Sequence, residues 1–511
     1  MKNINGLKLG AIFSYLSLFS NMIIQILYTP IMLQLLGQAE YGLYTLAYSV
    51  VGYLGVLEFG IGNAVVRYIS KYRAKDDKEG EYNLNAMFII IYSLIAFIVS
   101  ISGYIVVKNS DLLFSNTLSI KELENMKILM GLMVFNLAIS LPFSVFSSIM
   151  SAYEKFTIQK IIAILRSVLN PMIMLPLLLM GYKSVGMIMA TTIINIVFII
   201  VNVYYCVKVL KIKVKFNKLD FSLAKEIFKY SYYIFLGLIV DKIYWSTDQL
   251  ILGSVVSSSA VAIYAIGSSL NVYYLSFSTA ISGVFLPRVT NMITNNASNK
   301  ELSDLFIKIG RIQYIILSYI LCGFILVGDE FVEMWAGIDY KNAYYIALAV
   351  MIPITIPSIQ NLGLSILQAK NMHKFRSNLY IVIAIINVVI SIPFAYKYGG
   401  FGCALASGIC FFIGNGIIMN VYYYKKVKLD IIRFWKNILS LSITPITSTF
   451  IVYLIDKNID LSNIQTILIN GVLLTIVYIV LSIKISINDY EKSLIDKPIK
   501  IIKSKFTKVG V

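Results

Sequence analysis

The sequence predicts an all-α integral membrane protein with about fourteen transmembrane helices. Its 511 residues are 58% hydrophobic and 14% charged, and the mean hydropathy is +0.78. Soluble domains usually contain about 25% charged residues. The apolar runs are continuous and reach the ~20 residues that a helix needs to cross a bilayer. Strands of a membrane β-barrel would instead be short and alternating, so a helical bundle is the predicted class.

Fourteen apolar runs can be placed along the chain, and each predicts one membrane-spanning helix. They cover residues 9–35, 41–66, 84–107, 128–151, 161–180, 185–207, 230–252, 261–286, 308–328, 343–367, 379–396, 401–423, 438–456 and 465–483. Eight proline residues fall within these runs, where they favour kinks. The segments between successive runs must lie on alternating sides of the membrane.

Most of the 44 Lys and Arg residues fall in segments on the same side as the N-terminus. Cytoplasmic segments of membrane proteins are enriched in these two residues. The asymmetry therefore predicts that both termini are cytoplasmic. It also explains the formal net charge of +18 without nucleic acid as a partner. The basic tail beyond residue 484 is expected either to lie on anionic lipid or to be disordered.

An internal repeat links the two halves of the chain beneath the hydropathy pattern. The segment "NVYYCVK" at 202–208 returns as "NVYYYKK" at 420–426, and Pro142 falls opposite Pro357. Six predicted helices separate the copies, and because six is an even number, both copies enter the membrane in the same direction. The pattern therefore predicts two parallel six-helix lobes related by a pseudo-two-fold axis along the membrane normal. Such repeats are typical of transporters that bind substrate between lobes.

The repeat divides the chain into three predicted parts. Residues 1–215 form the first six-helix lobe and residues 216–425 the second. Residues 426–511 hold two extra C-terminal helices and the basic cytoplasmic tail. An ancient duplication without a surviving transport role is the alternative interpretation of this pattern.

The residues that most enzymes would need are not arranged as a site in this sequence. Its one histidine, His373, lies in the basic loop "QAKNMHKF", and all four cysteines fall in predicted helices. No nucleotide-binding fingerprint and no cluster with metal-ligand spacing occurs. We therefore expect neither a catalytic residue nor a metal or cofactor, and we expect the protein not to be an enzyme.

Five ionisable residues inside the predicted helices stand out as candidates for a function, because a charge there costs about 2.5–3.5 kcal/mol. They are Glu58, Arg166, Asp241, Lys242 and Asp248. Such residues usually face a bundle interior or a wet cavity. Each also has a structural alternative: Arg166 could extend to the inner surface or pair with Glu58, Asp241 and Lys242 could form interhelical ion pairs, and Asp248 could anchor the outer end of its helix.

One face of the seventh predicted helix combines carboxylates with aromatic rings. Asp241, Tyr244, Trp245 and Asp248 lie at positions i, i+3, i+4 and i+7, which share one side of an α-helix. Polar aromatic stripes of this kind suit the wall of a polar cavity better than contact with lipid.

Three stretches resemble the bacterial polysaccharide flippases, the Wzx-like branch of the multidrug/oligosaccharidyl-lipid/polysaccharide exporter superfamily. The first is "LLGQAEYGLYTLAYSVVGYLGVLEFGIGNAVVRYISKY" at 35–72, which resembles the N-terminal signature of that family. The others are "TDQLILG" at 247–253 and "YGGFGCALA" at 398–406. The resemblance implies that the protein moves an undecaprenyl-diphosphate-linked oligosaccharide from the cytoplasmic to the outer leaflet by alternating access, for O-antigen, capsule or similar surface polysaccharide.

The implied cargo suggests roles for the residues at membrane depth. A diphosphate requires cations, for which Arg166 and Lys242 are the candidates. A glycan requires polar and aromatic walls, for which Asp241, Tyr244 and Trp245 are the candidates. The sequence departs from related lipid flippases in that those concentrate several arginines in the cavity-lining helices.

Two further pairs complete the candidate site. Arg67 and Arg288 occupy matching places at the inner ends of helices 2 and 8, and could add positive charge at the entrance. Their alternative is the ordinary cationic flank of a membrane helix. Glu58 and Asp248 are candidates for coupling to H⁺ or Na⁺, should transport be coupled at all.

Two rival functions also fit the sequence. The first is a cation-coupled multidrug exporter of the same superfamily, for which the acidic residues would line the cavity. The second is a membrane glycan polymerase or ligase, which would need a catalytic outer loop, whereas the longest outer loop here is 108–127. The expected setting is the bacterial cytoplasmic (inner) membrane, with a monomeric chain, phospholipid around it, and other polysaccharide-assembly membrane proteins as further partners.

Overall fold

The computed structural model describes residues 2–217, 221–457 and 463–493, and within them every regular element is helical. The α-helices are, in order, α1 Lys2–Leu36, α2 Gln38–Gly55, α3 Ile61–Ala74, α4 Lys78–Lys108, α5 Asp111–Phe114, α6 Ile120–Ala152, α7 Phe156–Leu179, α8 Lys183–Tyr204 and α9 Phe221–Val255. The second half continues with α10 Ser258–Ser282, α11 Leu286–Thr294, α12 Asn299–Ala336, α13 Ala343–Ile359, α14 Leu362–Ala369, α15 His373–Phe411, α16 Asn420–Tyr422, α17 Ile431–Asp456 and α18 Asn463–Leu481. The all-helical class is confirmed. The basic tail predicted at the C-terminus lies largely outside the described residues.

Twelve helical stretches of the described chain are long and apolar enough to cross a membrane. Their surfaces carry large hydrophobic side chains, among them Leu27, Phe97 and Ile446, which are 65%, 64% and 67% exposed. An exposed apolar surface of this extent marks contact with lipid. The protein is therefore a multi-pass membrane protein.

Two features explain why twelve stretches are found where the sequence predicts fourteen helices. The stretch His373–Val427 is 55 residues long, more than twice what one crossing requires. It is interrupted at Gly399, whose φ of 57° and ψ of −139° are not helical. α9 is long enough to cross a membrane but is not one of the twelve, because its polar residues lower its hydropathy.

The chain divides into two compact units. The first unit comprises Met1–Ala265 and Ala384–Cys403, and the second comprises Ile266–Ile383 and Ala404–Val511. In the first unit α4 packs against α6, and α1 packs against α7. In the second unit α12 packs against α13, α17 and α18.

The second predicted helix, 41–66, is broken rather than continuous. α2 ends at Gly55, a 3₁₀ turn covers Val56–Glu58, and α3 begins at Ile61. Phe59 and Gly60 between them have left-handed φ values of 57° and 65°. Apolar periodicity does not register such a break, because the residues on both sides remain apolar.

Local backbone features recur at the spacing of the sequence repeat. A π-helical turn at Tyr205–Val209 returns at Tyr423–Val427, with the same offset that separates the two "NVYY" segments. Left-handed residues other than glycine recur at nearly the same offset. These pairs are Asp76 and Asn296, Glu154 and Asn371, and Lys211 and Lys428.

Candidate substrate cavity in the first unit

The first unit contains a cavity of about 490 Å³. One face of α2 lines it, since Tyr44, Tyr48, Val51 and Gly55 follow one another at helical spacing. The remaining lining residues come from four other helices and from α2: Gly52, Met133, Asn136, Leu137, Ser140, Arg166, Ile188, Thr191, Asn195 and Lys242. The cavity therefore combines tyrosines, amides and hydroxyls with two cations.

A network of amides and hydroxyls positions the guanidinium group of Arg166. Arg166 on α7 donates from Nη2 to Oδ1 of Asn195, at 3.0 Å. Nδ2 of Asn195 in turn donates to Oδ1 of Asn136 at 2.7 Å and to Oγ of Ser140 at 2.5 Å. Asn136 donates to Oγ1 of Thr192 at 3.0 Å. The Asn195 oxygen must face Arg166, because its amide nitrogen is committed to two acceptors on α6.

Lys242 approaches the cavity from α9 at a point where α2 has no side chain. A Cβ atom added to Gly52 would lie 2.4 Å from the Lys242 ammonium, so this glycine is what leaves space for the ammonium. The ammonium also lies 5.8 Å from the centroid of the Tyr48 ring, within range of a cation–π interaction. Tyr53 and Thr247 share a hydrogen bond of 2.5 Å that ties α9 to α2.

Among the residues that the structure describes, neither cavity cation is paired with an acid. The ion pairs formed there involve other side chains, and Arg166 and Lys242 take part in none of them. An uncompensated charge away from water is costly. An anionic group that enters the cavity would therefore gain interactions with both cations, whereas a cationic group would be repelled.

Glu58 lies at the end of the 3₁₀ turn between α2 and α3 and accepts a hydrogen bond of 2.9 Å from the hydroxyl of Tyr92. Tyr92 belongs to α4 and is fully buried. The alternative pair between Glu58 and Arg166 is not formed, because Arg166 instead contacts Asn195.

The carboxylate–aromatic stripe of α9 is not part of this cavity's lining. Asp241 is exposed, Tyr244 and Trp245 are half-buried, and Asp248 is buried. Asp248 accepts hydrogen bonds from the Tyr264 hydroxyl at 2.5 Å and from the hydroxyl of Ser391 at 3.0 Å. The four residues lie on one side of the helix, but their surroundings differ from exposed to buried. The residue of this segment that lines the cavity is the neighbouring Lys242.

The two arginines proposed for the entrance are both exposed. Arg67 lies on α3 of the first unit, with its guanidinium carbon 4.5 Å from the centroid of the Tyr230 ring. Arg288 lies on α11 of the second unit. A shared role for these two residues remains a prediction.

Most of the polar lining of the cavity was not predicted from the sequence. Asn136 and Ser140 lie four residues apart on α6, as do Thr191 and Asn195 on α8. Polar pairs at this spacing within apolar helices mark one face, and that signal could have found them. Nothing in the sequence indicates that Gly52 lies against Lys242, because that contact depends on how α2 and α9 pack.

Comparison with solved structures defines the fold. The chain superimposes on the structure titled "Lipid II flippase MurJ, inward closed conformation" with a TM-score of 0.75 and 18% identity, covering 95% of this chain and 99% of that one. An inward-facing multidrug resistance MATE family transporter of the MOP superfamily gives a TM-score of 0.64 and 16% identity, with coverage of 83% and 99%. The protein therefore has the fold of this class of membrane transporters.

Comparison with known sequences defines the family. A protein of Shigella flexneri assigned as an O-antigen transporter is 22% identical over 389 residues, which is 73% of this chain and 87% of that protein. A protein of Haloferax volcanii assigned as the low-salt glycan biosynthesis flippase Agl15 is 20% identical, over 42% of this chain and 44% of that protein. The family model described as "Polysaccharide biosynthesis protein" matches residues 7–293. The chain belongs to this polysaccharide biosynthesis family, which confirms the resemblance carried by its N-terminal signature.

Proposed function

We propose that this protein is a flippase that moves an undecaprenyl-diphosphate-linked oligosaccharide from the cytoplasmic to the outer leaflet by alternating access. The observation that carries the proposal is the cavity of the first unit, where Arg166 and Lys242 form no ion pair with a described acid. A diphosphate carries negative charge that two cations can bind. The amides, hydroxyls and tyrosines of the same cavity suit a sugar.

The transmembrane topology of the proposal has fourteen helices. The break at Gly399 divides the 55-residue stretch into two helices, and the 35-residue α9 supplies another. Together with the remaining candidate stretches, these helices give fourteen membrane spans. Because fourteen is an even number, both termini lie on the same side of the membrane. The distribution of Lys and Arg favours the cytoplasmic side. The membrane is then the bacterial cytoplasmic membrane, which is also where an O-antigen precursor would be transported.

Two six-helix lobes, 1–215 and 216–425, remain our proposed organisation, with two extra helices in 426–511. The recurrence of π-helical turns and left-handed residues at the spacing of the sequence repeat supports it. These features are independent of residue type, so they add to the sequence echoes rather than repeat them. Repeats of this kind place substrate sites near the membrane midplane.

Glu58 and Asp248 remain the candidates for coupling to H⁺ or Na⁺. Both carboxylates accept hydrogen bonds from tyrosine hydroxyls, those of Tyr92 and Tyr264 respectively. A carboxylate that is bonded to neutral hydroxyls can exchange a proton or an ion while those hydroxyls stay uncharged.

A cation-coupled multidrug exporter is the alternative, and the fold shared with a MATE family transporter favours it. The charge of the cavity argues against it, because a cationic drug would meet Arg166 and Lys242. A glycan polymerase or ligase has less support. The named relatives are transporters and flippases, which fits a protein that moves its substrate without chemical change.

The test is to delete the gene in its host and determine which leaflet holds the diphosphate-linked oligosaccharide. The strain is complemented with the wild type, with Arg166→Ala or with Lys242→Ala. Lys160→Ala on α7 and Lys229→Ala on α9 serve as matched controls, because each removes a cation from the same helix outside the cavity lining. Resistance to toxic cations is scored in the same strains.

We expect the oligosaccharide to accumulate on the cytoplasmic leaflet in the deletion strain and in the two cavity variants, but not in the wild type or the controls. Unchanged distribution of the lipid-linked sugar, with loss of resistance to toxic cations, would overturn the proposal in favour of the exporter.

A further inference from the structure

A second polar pocket, of about 590 Å³, lies in the second unit where the chain passes from one membrane span to the next. The stretch His373–Val427 ends on one side of it, and the stretch Ile431–Asp456 begins on the other. Because both stretches are candidate membrane spans, the residues between them lie at the depth of lipid headgroups. The pocket is lined by Tyr424, Lys428, Leu429, Asp430, Ile432, Arg433 and Lys436.

The charges of this pocket leave two ammonium groups available. Its carboxylate, Asp430, caps α17 by accepting a hydrogen bond of 3.0 Å from the backbone N–H of Arg433. The Arg433 side chain is paired with Asp304 at 2.6 Å. Lys428 and Lys436 are exposed and form no ion pair with any residue that the structure describes. The pocket therefore presents a net positive charge to the membrane surface.

The apolar part of the pocket is as informative as its charge. Tyr424 and Ile432 are 50% and 56% exposed, one at each side of the loop. Tyrosine is enriched at the level of lipid headgroups, where its ring meets the glycerol region and its hydroxyl meets water. A free phosphate ion would use the lysines but would leave these two side chains in water.

We propose that this pocket binds the phosphate headgroup of an anionic membrane phospholipid. Lys428 and Lys436 contact the phosphate, and Tyr424 and Ile432 contact the glycerol and the first carbons of the acyl chains. Basic pockets at the ends of transmembrane helices bind anionic lipid headgroups in this way. The site is separate from the cavity of the first unit, and the proposal does not depend on the transported substrate.

The experiment measures lipid binding to the purified full-length protein in detergent by native mass spectrometry. Dioctanoyl phosphatidylglycerol is titrated against the wild type and against the double variant Lys428→Gln/Lys436→Gln. The matched control is Lys425→Gln/Lys426→Gln, which removes two exposed cations from the same segment outside the pocket lining. Dioctanoyl phosphatidylcholine, inorganic phosphate and farnesyl diphosphate are added as competitors in separate series.

Each lysine near anionic lipid contributes about 1 kcal/mol, so the pocket variant should bind phosphatidylglycerol roughly 30-fold more weakly. The control pair should bind it like the wild type, and phosphatidylcholine should not compete. Equal weakening in both variants would overturn the proposal, because only the total charge would then matter. Displacement by inorganic phosphate would assign the site to a free anion, and displacement by farnesyl diphosphate would assign it to an isoprenoid diphosphate.

Discussion

The ammonium of Lys242 owes its place to the hydrogen atom that Gly52 has instead of a side chain. The two residues come from helices that are distant in sequence, and a single methyl group at Gly52 would meet the ammonium at 2.4 Å. Gly55 lines the same cavity, yet a Cβ atom there would meet nothing within 4 Å. Two glycines in one helix therefore differ in what they leave room for: Gly52 borders the Lys242 ammonium, whereas Gly55 borders open space.

We expect Gly52→Ala to weaken transport roughly tenfold or more, while Gly55→Ala leaves it near the wild-type level. A hydrogen bond to a charged group contributes about 1.5–3 kcal/mol, and displacing the ammonium would forfeit much of it. The measurement is the rate at which a lipid-diphosphate-linked oligosaccharide moves from one leaflet to the other in vesicles that contain each variant. Equal rates for the two variants would show that Lys242 does not hold the substrate.

Asn195 permits a second test at a single position, since its oxygen faces the guanidinium of Arg166. Asn195→Asp would place a carboxylate there, which would pair with Arg166 and compete with the phosphate. We expect binding of the lipid diphosphate to weaken by roughly 10- to 100-fold, as for the loss of a charge-assisted hydrogen bond. Isothermal titration calorimetry in detergent measures the dissociation constant of the lipid diphosphate for each variant.

Thr191→Val is the control for that variant. Thr191 also lines the cavity, but its hydroxyl donates to the Met187 carbonyl of its own helix at 2.8 Å. It should bind the lipid diphosphate like the wild type. If Asn195→Asp bound the ligand equally well, Arg166 would have no role in holding the phosphate.

At the scale of the helices, the break between α2 and α3 is the feature that hydropathy could not predict. Gly60 has a φ of 65°, and a Cβ atom there would lie 2.4 Å from the side chain of Ile234. The preceding Phe59 stacks on Phe235, with ring centroids 4.3 Å apart. Both contacts reach α9, so the break positions Glu58 and the junction with α9 at the same time.

We expect Gly60→Ala to lower the free energy of unfolding by about 2–4 kcal/mol, because left-handed strain and overpacking add. Gly237→Ala on α9 is the control: nothing lies within 4 Å of a Cβ atom there. Alanine is favoured over glycine within helices by about 0.5–1 kcal/mol, so the control should be neutral or slightly stabilising. Thermal unfolding in detergent distinguishes the two variants. Equal unfolding midpoints would show that a side chain at position 60 is not strained.

Helix positions were predictable because each membrane span must be long and apolar, whatever its neighbours are. The gap between two predicted helices, 379–396 and 401–423, coincides with Gly399, whose backbone is not helical. The network around Arg166 was not predictable, because asparagine and serine in apolar helices are individually unremarkable and gain meaning only once α6 and α8 meet.

On the scale of the whole molecule, one buried ion pair ties the end of the described chain to its middle. Arg311 on α12 and Glu491 form two hydrogen bonds, of 2.6 and 2.8 Å, and their side chains are only 7% and 5% exposed. Arg311 also donates to Asn437 on α17 at 3.2 Å. Three segments of the second unit therefore meet at one guanidinium group.

We expect Glu491→Gln to lower the free energy of unfolding by about 3–5 kcal/mol, because it leaves Arg311 buried without a counter-charge. The double variant Arg311→Met/Glu491→Gln should cost less than the sum of its two single variants. Chemical or thermal unfolding in detergent measures each step of this cycle.

Asp304→Asn is the control for that cycle. Asp304 on α12 pairs with Arg433 on α17 at 2.6 Å, but the side chains of Arg433 and Asp304 are 48% and 46% exposed. An exposed pair contributes about 1 kcal/mol or less. Equal costs for Glu491→Gln and Asp304→Asn would show that burial gives the Arg311 pair no special importance.

The Arg311–Glu491 pair can form only late in the synthesis of the chain. The two residues are 180 positions apart, so at about 5–20 residues per second a ribosome needs roughly 10–40 s to reach the acid after the arginine. Throughout that interval α12 carries a cation whose partner has not yet been translated. A nascent chain that stopped just after α18 would hold every candidate span described in the second unit and still leave that cation unneutralised, so the Arg311–Glu491 pair forms only after α18 has been made.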